Sequence, residues 1–167
     1  MITKKFKRGN GQTVDYEGMI AVVAKYIADA PMATYDITVG TDSQNHKETK
    51  MVEVIAVHRV GDGGIFFYRT EYIPKIRVLK EKIVEETARS IENATGFVDG
   101  LGVALIDYDI DIDEIDVNFA VHADIGKVGK TKALIAEITS WIEAAGFDVC
   151  IKPDSYAASG VANRISK

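Results

Sequence analysis

The chain has 167 residues, 47% of them hydrophobic and 27% charged. That composition suits one globular domain with an ordinary core and excludes a disordered chain. The single cysteine, Cys150, excludes an intrachain disulfide and fits a reducing compartment. A formal net charge of −5 argues against gripping nucleic acid by broad electrostatics, unless the acids gather at a cation site.

The opening stretch MITKKFKRGNGQ is basic with no apolar run behind it, so no secretory signal is expected. No segment approaches the roughly 20 apolar residues that span a bilayer, and the chain reads as soluble and cytoplasmic. Residues 1–14 form a polar tail or edge element. Residues 15–30 have apolar positions at helical spacing and are followed by Pro31. YDITVGTD (35–42) reads as a buried strand. The stretches 51–60 and 65–73 alternate around the glycines of 61–64, which predicts a hairpin.

Residues 78–95 switch to helical period, with Leu79, Ile83, Val84, Thr87, Ala88 and Ile91 on one face. The stretch 97–106 is ambiguous and could extend that helix past two glycines. Residues 115–124 form a strand, 131–145 a helix closed by Gly146, and 147–152 a short strand. A last helix is expected over 154–166, capped by Asp154 or Ser155. The sum is a single α/β domain over 1–167, with a tail and helix in 1–33 and the core in 34–167. Its core is a mixed five-stranded sheet with helices on both faces.

Three aspartates stand at matching places. Asp42 ends the first of these strands, Asp124 ends the fourth, and Asp154 follows the fifth. If the first and fourth strands are parallel neighbours, Asp42 and Asp124 lie together at the edge where open α/β sheets place ligands. The long helix carries Glu81, Glu85 and Glu86, one of which could complete the cluster. Converging carboxylates raise one another's pKa unless a cation intervenes. Mg²⁺ or Mn²⁺ suits such oxygen donors, and two ions could clamp a phosphodiester. The plainer alternative is that strand-end aspartates cap helices and tighten turns.

The motifs VGTDSQNH (39–46), KEKIVEETARS (80–90), HADIG (122–126) and IKPDSYAASGVANR (151–164) resemble those of the YkuK-like family. These are small bacterial and phage proteins classed as ribonuclease H-like. The resemblance runs from about Tyr35 to the C-terminus. It implies the ribonuclease H-like fold with sheet order 3-2-1-4-5 and a nuclease-type acidic site. Carried over by motif, Asp42, Asp124, Asp154 and a helix glutamate are the metal ligands. Glu86 matches the helix position best, with Glu81 as runner-up. Asn163 stands where many nucleases of this fold carry a last acid.

His122 precedes Asp124 by two residues, so on a strand the two share a face, and it could orient water or move a proton. Ser43 and Gln44 follow Asp42 and could bind phosphate or orient Asp42, and His46 in the loop after them could reach the substrate; Lys152 precedes Asp154 and could steady the carboxylates or contact a phosphate. His58 and Trp141 read as structural. GKVGKT (126–131) is not a P-loop, because the required first glycine is Asp124. Its Lys127 and Lys130, with Lys132, still surround an expected helix N-terminus that attracts anions. DYDIDIDEID (107–116) lacks the glycine and the final glutamate of a calcium loop.

The expected function is a Mg²⁺- or Mn²⁺-dependent nuclease acting on RNA or DNA. Asp42, Glu86, Asp124 and Asp154 serve as ligands and catalytic acids, and His122 assists. The alternative is a ribonuclease H-like module that binds nucleic acid or regulates without turnover. An actin-like nucleotide-binding relative is disfavoured by the missing glycine-rich loop after the first strand.

Overall fold

The computed structural model describes residues 4–152. Strands β3 (Thr34–Asn45), β4 (Thr49–Arg59) and β5 (Gly64–Ile73) form an antiparallel meander. Strand β6 (Asp116–His122) lies parallel to β3 on its other side, and β7 (Asp148–Cys150) continues the sheet in parallel. Two further short strands, β1 (Lys5–Arg8) and β2 (Thr13–Asp15), form a hairpin on the outer side of β5. Among the described residues the sheet therefore has seven strands in the order β2-β1-β5-β4-β3-β6-β7. That corrects the expected sheet of five in the order 3-2-1-4-5, because β2 and β1 are added beyond β5 and precede the run β5-β4-β3-β6-β7. The N-terminal stretch read as a tail alternates Lys5, Phe6, Lys7, and Phe6 is fully buried. Its apolar residue sits in the core while the lysines keep to solvent, which is a half-buried strand.

Helix α1 (Tyr16–Ala28) begins where predicted, and the Asp15 side chain accepts the Gly18 N–H at 2.7 Å as its cap. Helix α2 runs unbroken from Leu79 to Ile106, so the ambiguous stretch is helical. Glycine is tolerated at position 100 because α1 crosses there: a Cβ would lie 2.3 Å from Ile20 Cδ1. Helix α3 (Ile135–Ala144) starts later than expected, after a 3₁₀ turn over Lys132–Leu134.

These three helices share one hydrophobic core with Tyr35, Ile37 and Val39 of β3. On the opposite face, Val52 and Val54 pack with Phe66 and Tyr68. Among the described residues the helices thus cover one face of the sheet. The helix expected over 154–166 lies outside the described residues. No described helix is long and apolar enough to cross a membrane.

The inward stripe of α2 keeps the predicted Ile83 and Thr87, with Ile91 beside them, and otherwise differs. Val84 and Leu79 are at the surface, while Glu86, Ser90, Asn93, Phe97, Leu101 and Leu105 are buried. The stripe is polar near the N-terminus of α2 and apolar beyond it. Its polar half meets polar groups of the sheet. Ser90 Oγ lies 2.8 Å from Thr41 Oγ1, and the Asn93 amide donates to Glu53 Oε1 at 2.7 Å.

Glu53 of β4 is 0% exposed. Each carboxylate oxygen accepts two hydrogen bonds. Oε1 accepts from Lys4 and Asn93, Oε2 from Arg69 at 2.7 Å and Arg89 at 3.0 Å. Burial pushes its pKa up, but the Asn93 amide and Lys4 more than reverse this and hold it below the ordinary value. Because the folded value lies below the unfolded one, Glu53 stabilises the fold above the ordinary carboxylate range. That contribution is lost as pH falls through the folded value.

Glu53→Ala should cost on the order of 3 kcal/mol at neutral pH, because Lys4, Arg69 and Arg89 lose the charge between them. Urea denaturation at neutral and acid pH checks this, and the variant should lose less stability on acidification than the wild type.

Candidate acidic site at the edge of the sheet

Asp42 lies near the end of β3, and its Oδ1 accepts the Ser43 N–H at 2.9 Å. Strand alternation points Ser43 to the helix face, where its hydroxyl donates to Glu86 Oε2 in a very short hydrogen bond. One dipeptide therefore positions two acids. Asp124 follows β6 and is partly exposed. The chain after β7 runs beside it, with the Lys152 N–H donating to the Ile125 carbonyl at 2.8 Å. This brings Lys152 Nζ to 2.8 Å from Asp124 Oδ1. Gly126 permits the approach: a Cβ there would lie only 3.1 Å from Lys152 Cβ.

The three acids form one electrostatic group. Burial raises the pKa of Asp42, and the charge of Asp124 raises it further. Glu86 is 4% exposed, and burial, joined by the charges of Asp42 and Asp124, pushes its pKa up to about 8. The Ser43 hydrogen bond and Lys82 act in the opposite direction but do not outweigh burial. The second oxygen, Glu86 Oε1, is buried and has no hydrogen-bond partner among the described residues. Such an orphan acceptor is costly in an interior unless something binds it. Lys152 is the counter-charge of the group, and its own pKa is raised, foremost by its bond to Asp124.

A family model described as "Ribonuclease H-like" matches residues 18–167. The chain is also 35% identical over 156 residues to the "Uncharacterized protein YkuK" of Bacillus subtilis strain 168, covering 91% of each. The chain belongs to the ribonuclease H-like family. Within it, this is a YkuK-like protein. No solved structure matches it.

Of the residues expected at a ribonuclease H-like site, the fold groups Asp42, Glu86, Asp124 and Lys152. Glu81 is exposed on the surface of α2, whereas Glu86 is buried beside Ser43. His122 is buried, in register with Gly40 and on the Asp42 face of the sheet. Gln44 is half-buried on that same face, and His46 is exposed at the turn between β3 and β4. Lys127, Lys130 and Lys132 are exposed on the segment that precedes α3. That loop is braced by a hydrogen bond from the Gly126 N–H to Thr131 Oγ1 at 3.0 Å. Asp154 and Asn163 lie outside the described residues.

Among the described residues, no three Asp, Glu, His or Cys side chains are close enough to enclose one ion. The two carboxylates that would flank Asp42 are instead occupied, Asp124 by Lys152 and Glu86 by Ser43. Sequence reasoning missed Lys82 as a companion of these acids, and it missed the contacts of Ser90 with Thr41 and of Asn93 with Glu53 farther along α2. The available signal was the run of polar residues on the inward stripe of α2.

In metal-free protein, Glu86 keeps its proton more tightly folded than unfolded, since about 8 exceeds the ordinary value of 4.5. Its contribution to stability is full below the unfolded value and declines as pH rises toward the folded one. Wild-type stability should therefore fall over that window, and Glu86→Gln should flatten the fall. Thermal unfolding across the same pH range in the presence of a chelator measures it.

Proposed function

We propose that this protein is a divalent-metal-dependent nuclease, cutting phosphodiesters of RNA or DNA. The observation that carries this reading is Glu86 Oε1: a buried carboxylate oxygen without a partner among the described residues, beside Asp42 and Asp124. Hard oxygen donors and an orphan acceptor suit Mg²⁺ or Mn²⁺. Asp42, Glu86 and Asp124 would hold the metal once Asp124 leaves Lys152 and the three side chains turn toward one another, since as they stand no three described side chains enclose one ion, with Asp154 as the further acid indicated by the sequence. When bound, the metal supplies activation of water and neutralisation of charge on the phosphate.

The protein's own groups do the rest. Ser43 fixes Glu86 from one side and Asp42 from the other. Lys152 holds Asp124 and keeps the group's negative charge in check until a cation arrives. His122 shares the Asp42 face and is placed to orient the attacking water or to pass a proton. Lys127, Lys130 and Lys132 attract the phosphate backbone to the loop beside Asp124, with Gln44 and His46 approaching from the β3 side. Membership of the ribonuclease H-like family supports a nucleic-acid substrate.

A second reading is a binding or regulatory module without turnover. The ion pair of Lys152 with Asp124 favours it, because a permanent internal cation can satisfy the site without metal.

Two variants separate the readings. Mn²⁺ should raise the melting temperature of the wild type, and Asp42→Asn should lose most of that rise. Without metal, Asp42→Asn should be as stable as the wild type or slightly more so. Lys152→Met should lower metal-free stability yet respond to lower Mn²⁺ concentrations, because the internal competitor is gone. Cleavage of RNA, DNA and hybrid substrates should fall by orders of magnitude in Asp42→Asn. Equal Mn²⁺ shifts in wild type and Asp42→Asn would exclude Asp42 as a ligand. A normal shift with no cleavage of any substrate would select the module.

A further inference from the structure

Strand β1 pairs with β5 at only two positions, Lys7 with Tyr68 and Arg8 with Phe67. Before Lys7 the strands part, and the gap opens into a cavity of about 470 Å³. Its lining includes Lys4, Lys5, Lys7 and Arg69 and no acidic residue. Lys4 and Arg69 are already paired beneath the sheet, Lys4 with Glu53 and Glu92 and Arg69 with Glu53 and Glu71. Lys5 and Lys7 are different. They alternate with buried Phe6, so they face the opposite side of the sheet, and both are exposed. Thr13 and Thr70, also exposed in this lining, supply hydroxyls.

Strand register ties this groove to the acidic site. Thr70 pairs with Val52, and Val52 pairs with Asp42, so all three share one face. The next row toward the sheet's end pairs Tyr72 with Lys50, and Lys50 with Gln44. At about 4.8 Å per strand, and with β1 parted from β5 at this point, Lys5 stands at least roughly 14 Å from Asp42. Val52 and Val54 are buried, so the direct row is closed. The row along the sheet's end remains, and Tyr72 is 59% exposed on it.

We propose that the β1–β5 groove binds the phosphate backbone of a single-stranded nucleic acid and leads it past Tyr72 and Lys50 to Asp42. Lys5 and Lys7 pair with two phosphates, Thr13 and Thr70 donate to their oxygens, and a base stacks on Tyr72. In a chain of net charge −5, this local concentration of positive charge is what would overcome general repulsion. The inference deepens the nuclease reading by naming its substrate as a single strand and giving that strand a path.

The test is fluorescence anisotropy of labelled oligothymidylate and oligouridylate, and of a duplex control, over a range of salt. The double variant Lys5→Gln/Lys7→Gln should lower the slope of log affinity against log salt by about 1.4, two single-strand phosphates' worth. Tyr72→Ala should weaken binding about tenfold without changing the slope. Neither change touches Asp42, Glu86 or Asp124, so the Mn²⁺-induced melting shift should stay at the wild-type value. An unchanged slope in the double variant overturns the groove, as does a wild type that binds neither single strand or that prefers the duplex. If binding depends on the groove while Mn²⁺ gives no shift, the groove stands and the metal-dependent nuclease reading falls.

Discussion

A carboxylate buried between α2 and the sheet must be matched by positive charge or must give up its own, and this protein does each once. Glu53 takes the first course. Four donors from β5, α2 and the segment before β1 converge on its two oxygens. They tie the N-terminal hairpin, the meander and the long helix to one point. Arg69 and Arg89 reach on to Glu71, which extends the network toward the surface. Isolated pairs of this kind contribute little at a surface, but a dry, saturated carboxylate leaves its partners nowhere else to go.

Glu86 takes the second course. It sits seven residues before Asn93 on the same stripe of α2, which is two helical turns. Its neighbours are a hydroxyl and two further acids. Lys82 and the Ser43 hydroxyl do not outweigh burial, so the proton stays. The contrast between the two glutamates separates architecture from chemistry: one is satisfied wholly by the protein, and the other has an oxygen with no partner among the described residues.

Much of this was legible in the sequence. The meander announced itself by alternation and by the glycines at 61–64, and α1 by its period and by Pro31. Asp42 and Asp124 could be placed together because their strands are parallel neighbours, which the helical crossover between them dictates. Other features were hidden for physical reasons. The N-terminal strands are only 4 and 3 residues long, too short for a period-two pattern to rise above noise. Part of the stripe of α2 was misassigned because its inward residues are polar where they meet the acids, and hydrophobic periodicity cannot register a glutamate that faces inward. That Lys152 could steady a carboxylate was legible, but its pairing with Asp124 depends on the chain after β7 running beside Ile125, a tertiary relation that no local spacing encodes.

The outermost strands among those described, β2 and β7, have three residues each, whereas β3, β4 and β5 have 12, 11 and 10. A sheet with such long central strands would invite other copies to add to it if a long strand lay at its margin. Short margins offer too few unpaired backbone groups to template that addition. The hairpin of β1 and β2 therefore has a protective consequence. It caps the margin that β5 would otherwise leave open, and so disfavours edge-to-edge aggregation even at high concentration.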